Sequence, residues 1–529
     1  MRHARVAAGL AGLLLVASAA PTAQSRSARP PAAASGTVTG LTAAPRLARA
    51  YDAIFDARFE ELPKLLAEAC GPAPREACQV LDAVGLWWQI QIDPANRTRD
   101  ALFLTRIDSA IAQAEGWAAR EPARAEASFY VGAAYGARVQ WRVLRGERLA
   151  AARDGKRIKE ALERALSLDP TLDDAHFGLG LYRYYADVAP AVARIVRWLL
   201  LLPGGDRAEG LQSILRGRDG GVLVRGEADY QLHLLYLWYE QQPERALDLM
   251  EGLRQRHPGN PHFIQVAADI EDAYLHDPSS SLRTYQELLT AARAGTVRMP
   301  AFAEATARLG MARHLDTLFE TDAAIEQLRA VAKTGADAPL GVRAQALLLL
   351  GAALDRMGER GDATSAYRAA LEAVPPGDPL EIARRARQGI RNTPDAGTAR
   401  AYRLSIEGFR ALQRGDLDGA DRLLTQSLTT RPRDPVTRYR RALLLQQRGD
   451  DPGALAVLDP LLVTRDGVPP TIYAGACMDA ARIHEVQGTL AQAAALYRTA
   501  ISVFGIDRRM KDAAERALAR LSTPSPASR

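Results

Sequence analysis

The sequence predicts an all-α chain of antiparallel helix pairs stacked into a solenoid, and three observations carry that prediction. The 529 residues exceed what one compact domain holds, while 47% hydrophobic and 25% charged residues mark a folded chain. Ala, Leu, Arg and Glu recur throughout and runs of Val, Ile and Thr are nearly absent; the recurring residues lose little side-chain freedom in a helix. In the C-terminal third, Gly408, Gly415, Ala420 and Leu424 are followed 34 residues later by Ala442, Gly449, Ala454 and Leu458. Small residues at these spacings let two antiparallel helices approach closely, and Pro432 ends the second helix.

Taken from the N-terminus, "MRHAR" is a basic leader and "VAAGLAGLLLVASAA" an apolar stretch of the length of a secretory signal core. Ala17-Ser18-Ala19 offers a small-x-small cleavage pattern, with Ala23 a second option. Residues 1–23 are therefore expected to be a signal peptide, which places the mature chain in a periplasmic or secreted location. Residues 24–44 are small, polar and Pro-rich and are expected to be a disordered lead. Cys70 and Cys78 flank the turn "GPAPREA", and in an oxidising compartment they are expected to form a disulfide. Further on, "YDAIFDARFEELPKLLAEA", "CQVLDAVGLWWQIQI" and "AEASFYVGAAYGARVQW" read as amphipathic helices, with Trp87, Trp88 and Trp141 as helix-packing residues.

"IVRWLLLLPGGDRAEGL" is the least regular stretch. Its apolar run is too short, and too interrupted by Arg194 and Arg197, to span a bilayer. "PGGDR" lacks the Lys-Ser/Thr of a phosphate loop. It reads as a turn after an insertion, residues 186–203, inside a helix pair that opens with Leu179 and Gly180. Trp198 to Leu202 can then cap the array's core, offer an apolar contact to a partner or give a peripheral membrane contact.

The repeat signal strengthens downstream. The segment from Ala344 carries Gly351, Gly358, Ala363, Tyr367, Ala370 and Pro375. The segment from Ala474 carries Ala481, Gly488, Ala493, Tyr497 and Ala500, with Gly505 in the last place, after a five-residue insertion, Pro469 to Tyr473. This pattern of small residue, Gly, Ala, aromatic or Leu, Ala and Pro resembles the tetratricopeptide repeat. Glu227 to Asn260 matches it loosely, without the glycine. "RARQGIRNTPDAGTAR" breaks the period and is expected to be an extra helix plus a hinge.

The resemblance implies a right-handed superhelical solenoid and, with the linkers, sets the expected boundaries. A degenerate solenoid covers 45–391, a hinge 392–400, a regular C-terminal array 401–521, and a disordered tail 522–529. It also implies a concave face lined by the first helices. Carried onto the best repeats, that face comprises Tyr402, Phe409, Gln413, Tyr439, Leu443 and Gln446, and aromatic anchors beside amides suit a peptide. Cys477 falls on an inward-facing position and is expected to be core.

No chemistry-bearing spacing stands out. H-E-x-x-H, G-x-S-x-G, a Walker loop and C-x-x-C are all missing from the sequence. "DLDG" at Asp416 to Gly419 lacks the ligands of a calcium loop, and His257 and His262 flank a turn without further ligands. No cofactor and no metal is expected. The +6 charge is scattered and arginine-rich, which argues against nucleic acid, and nothing after the leader reads as an integral membrane segment. The function expected is a non-enzymatic exported scaffold that binds a protein or peptide in the bacterial envelope. The alternative is an enzyme or enzyme-associated helical domain with a ligand pocket in the N-terminal half, near "LWWQIQIDPANRTRD". Acids and aromatics converging there would favour it.

Overall fold

The structure, a computed structural model, describes residues 40–188, 205–378 and 380–522. The expected signal peptide, nearly all of the expected lead, Trp198–Leu202 and most of the expected tail lie outside these residues. Every regular element described is a helix, and all of them fall in one compact unit. Among the described residues, no helix is long and apolar enough to cross a membrane.

The helices come as antiparallel neighbours. The first pairs are α1 (Ala44–Phe55) with α2 (Leu62–Ala69), α3 (Arg75–Ile92) with α4 (Asp100–Arg120), and α5 (Ala125–Arg145) with α6 (Arg148–Leu168). Then come α7 (Asp173–Val188) with α8 (Arg207–Gly220), α9 (Arg225–Trp238) with α10 (Pro243–Arg256), and α11 (Pro261–Ala273) with α12 (Pro278–Ala294). The second half holds α13 (Pro300–Thr317) with α14 (Thr321–Val331), α15 (Val342–Met357) with α16 (Arg360–Glu372), and the extra helix α17 (Ile382–Arg391). It ends with α18 (Ala396–Gln413) and α19 (Leu417–Thr430), α20 (Pro435–Gln447) and α21 (Asp451–Val463), α22 (Pro470–Val486) and α23 (Leu490–Ser502), and α24 (Arg508–Ser522).

The repeat residues have clear physical roles. Gly358, Gly415, Gly449 and Gly488 end the first helices at φ of 82°, 78°, 77° and 77°. Only glycine takes that left-handed position without a Cβ penalty. Ala363, Ala420, Ala454 and Ala493 are fully buried, and a Cβ on Gly351 would lie 2.6 Å from the Tyr367 ring. Aspartates cap four consecutive helices: Asp395, Asp416, Asp434 and Asp450 accept from the amides of Thr398, Gly419, Thr437 and Gly453 at 2.7–2.9 Å. "DLDG" is therefore a helix cap. The break between 392 and 400 is short, because α18 begins at Ala396 and only Asn392–Asp395 connect it to α17.

In the irregular stretch, α7 and α8 cross with their backbones in contact. A Cβ on Gly180 would meet the Gly210 carbonyl oxygen and the Ile214 nitrogen at 2.7 Å, and one on Gly217 would meet the Phe177 nitrogen at 2.6 Å. Here glycine serves close approach rather than φ. Cys70 and Cys78 are disulfide-bonded at the start of α3. Cys477 is fully buried in the α22–α24 core, where burial pushes its thiol up to about 11, so it is a small apolar residue and a poor nucleophile.

Candidate functional site

Two places gather polar and aromatic side chains from several helices. The first lies where the inner helices of the N-terminal half converge. Glu227 on α9, 5% exposed, accepts from Tyr51 Oη (α1, 3.2 Å), Trp88 Nε1 (α3, 3.2 Å) and Gln140 Nε2 (α5, 3.1 Å). Tyr230 stacks edge-on against Trp88, receives a 2.7 Å bond from Gln91 Nε2, and has its hydroxyl 3.1 Å from His262 Nε2. Burial raises the Glu227 carboxyl above its ordinary range, and the donors around it oppose that shift. The acids and aromatics near "LWWQIQID" thus do converge. However, Trp88 and Glu227 are sealed, and the chain's own donors occupy the carboxylate on both oxygens. What this arrangement does chemically is tie four inner helices to one point.

The same circuit is closed at its seam. Asp56 Oδ1 accepts from the Gly259 amide at 2.7 Å, and Asn260 Nδ2 donates to the Phe55 carbonyl at 2.7 Å. Asn260 Oδ1 also accepts from the His262 amide, and the His257 ring packs on Phe55, so the residues of this turn serve capping and packing. Nothing in local sequence joins residue 56 to residue 259. The signal was the unexplained polarity of "HPGNPH" itself.

The second place is the inner face of α18 and α20, where the candidate peptide-binding residues fall. The structure brings Tyr402, Phe409, Tyr439 and Leu443 to this face half-buried, with Gln446 half-buried and Gln413 exposed. Most are engaged within the chain. Tyr439 Oη donates to the buried Asp479 at 2.8 Å, and Gln413 Oε1 accepts from Arg410 Nη1 at 2.7 Å. Gln446 Nε2 is buried without a partner.

Sequence reasoning missed the two arginines that dominate this face. Arg440, 4% exposed, lies over the Phe409 ring at 4.7 Å and donates to Ser405 Oγ (3.0 Å) and the Phe319 carbonyl (2.6 Å). Burial pushes its guanidinium down to about 10. Arg410 grips Asp322 with two bonds of 2.7 and 2.8 Å and reaches Glu320 at 3.2 Å. Burial would raise the Asp322 carboxyl, but these bonds more than offset it and hold it low. The Tyr402 and Thr321 hydroxyls are 2.7 Å apart. The turn between α13 and α14 therefore sits against this face.

A shallow cavity of about 370 Å³ lies beside the extra helix α17, lined by Asp355, Tyr367, Arg385, Gln388 and Asn392 among others. Asp355 is held there by Arg360 and by the Tyr367 hydroxyl. No group of three or more potential metal-ligating side chains occurs among the described residues.

No protein-family model matches the sequence, and no curated protein matches it. Solved structures with similar helical architecture include a tetratricopeptide repeat protein from Parabacteroides merdae (17% identity, TM-score 0.24, covering 56% of this chain and 99% of that one). Another is a Rap protein complexed with competence and sporulation factor (13%, 0.33, 90% and 99%). A third is the P58(IPK) TPR domain (13%, 0.20, 73% and 99%). At TM-scores of this size the superhelices do not superpose, so the assignment stands on the chain's own glycines, alanines and paired helices. By those features the chain is an all-helical solenoid of tetratricopeptide-like helix pairs.

Proposed function

We propose that this chain is an exported, non-enzymatic scaffold that binds a protein or peptide partner on the inner face of its C-terminal array. The observation that carries this reading is the face itself: Tyr402, Phe409 and Tyr439 with Gln413 and Gln446, on helices whose small residues serve only to stack. The Glu227 cluster offers less to a ligand, because its acid is saturated by chain donors. Export follows from the apolar leader, and a mature N-terminus just after Ala19 or Ala23 is expected from mass spectrometry of secreted material.

A crosslinked pull-down from the cell envelope tests the site. Phe409→Ala with Tyr439→Ala is expected to keep far-UV helicity and lose the partner. Because both rings also carry intramolecular contacts, Gln413→Ala with Leu443→Ala serves as the gentler pair. Unchanged recovery by both pairs contradicts the site. Peripheral membrane contact through Trp198–Leu202 is proposed alongside, and failure to float with anionic liposomes at low salt removes it.

A further inference from the structure

We infer that the α18–α20 face recognises acidic segments, and that the α13–α14 turn, Asp316 to Asp322, is its resident intramolecular occupant. The inference rests on the proposal that this face binds a partner. Its own basis is a set of contacts between segments 81 to 121 residues apart.

The turn reads "DTLFETD", with carboxylates on both sides of an aromatic residue. Arg410 holds Asp322 bidentately and Glu320 singly, while Arg440 takes the backbone carbonyl of Phe319. Arg356, on α15, pairs with Asp316. Phe319 stands at φ 62°, the left-handed position after a helix that Gly415 and Gly449 hold elsewhere, with Glu320 N donating to the Leu315 carbonyl at 2.8 Å. The face thus reads two carboxylates and the main-chain carbonyl just before them, while Arg356 of α15 holds the acid at the other end. Planar guanidinium groups suit that task because they match carboxylates two bonds at a time.

Occupancy of this kind makes binding competitive. A partner segment with acids spaced like Glu320 and Asp322 replaces the turn on Arg410 and Arg440. Glu320 and Asp322 are each about one-third exposed, so their carboxylates meet Arg410 at the edge of the contact, while Thr321 between them is buried.

The test uses the full chain and a fluorescein-labelled peptide copying Leu315 to Ala324. Glu320→Gln with Asp322→Asn is expected to bind it about tenfold tighter than the unaltered chain, since two charge-assisted contacts no longer compete. Adding Arg410→Gln is expected to return binding to the unaltered level, and a copy with its acids changed to amides is expected to bind neither form. No gain in a double variant of unchanged melting temperature overturns the inference. If that variant melts early, the unaltered chain is used instead. Excess peptide must then speed hydrogen exchange at 316–322, and unchanged exchange overturns the inference. A partner still captured by the array after such a failure separates the two ideas: the scaffold stands and its acidic specificity falls.

Discussion

The N-terminal circuit, α1 to α11, and the C-terminal array, α18 to α24, are built from the same helix pairs but cohere differently. In the circuit one continuous apolar core runs from Leu47 to Ile270, with Glu227 at its centre and the Asp56–Gly259 seam closing it. In the array the core breaks into small clusters, one around Leu424 and Leu444, one around Leu458, and one around Tyr497. The array's apolar clusters are small and lie between neighbouring repeats, and polar bonds tie it back over long distances: Arg410 and Arg440 to the α13–α14 turn, and Asp507 and Arg508 to Arg283 and Asp277. The lesson is that curvature decides cooperativity. Where one apolar core joins the inner helices, distant repeats share one fate; where small clusters are joined by surface polar bonds, repeats loosen more easily.

All six tryptophans, from Trp87 to Trp238, precede the array in the sequence, so tryptophan fluorescence reads the first half alone. The largest effect on that signal is expected from Glu227→Ala. It leaves the Tyr51, Trp88 and Gln140 donors without their acceptor, at about 3–4 kcal/mol of circuit stability in a urea titration. Glu227→Gln, which keeps one acceptor oxygen, is expected to lose less than half as much. A loss under about 1 kcal/mol for the alanine variant would mean that the convergence is incidental.

Next in size are two glycine substitutions that separate the regions by mechanism. Gly180→Ala puts a methyl against the backbone of α8 and is expected to cost about 2–3 kcal/mol through forced separation of α7 and α8. Gly449→Ala meets nothing within 4 Å, so its cost is conformational only, about 1 kcal/mol, and is seen by circular dichroism and not by tryptophan. Equal effects on both probes would blur the distinction.

The smallest effect depends on pH. Burial pushes His233 down to about 3 and His257 and His262 down to about 4, from an ordinary 6.5. The unfolded chain takes up those protons near 6.5, so this stability is whole above pH 6.5 and drains as pH falls toward 4. The raised Glu227 carboxyl works in the opposite sense, so a variant isolates the histidine part. His262→Gln is expected to remove about 2 kcal/mol of the fall between pH 6.5 and 4.5, read on tryptophan fluorescence. The array holds one histidine, the half-buried His484.

How much was legible in the sequence follows the same division. Gly415, Gly449 and Gly488 could be read because each answers a local demand, a helix end at positive φ. The pairing of Cys70 with Cys78 and the core setting of Cys477 were equally local. Glu227, Asn260 and Arg440 could not be read, because their partners lie 139, 205 and 121 residues away. The long helices α4, α5 and α6 also stretch the period, so glycines such as Gly132, which seats Leu162 of α6, keep their function but lose their register. For the candidate face, the aromatics were visible by position, while their intramolecular occupant depends on how tightly the superhelix curves.

A sealed circuit and a loosely stacked array share this chain, and a single urea titration tests that division. Tryptophan fluorescence and far-UV circular dichroism are followed together on the full chain. The dichroism is expected to begin falling at lower urea than the fluorescence, as the array melts first. Coincident transitions at the two probes would contradict it.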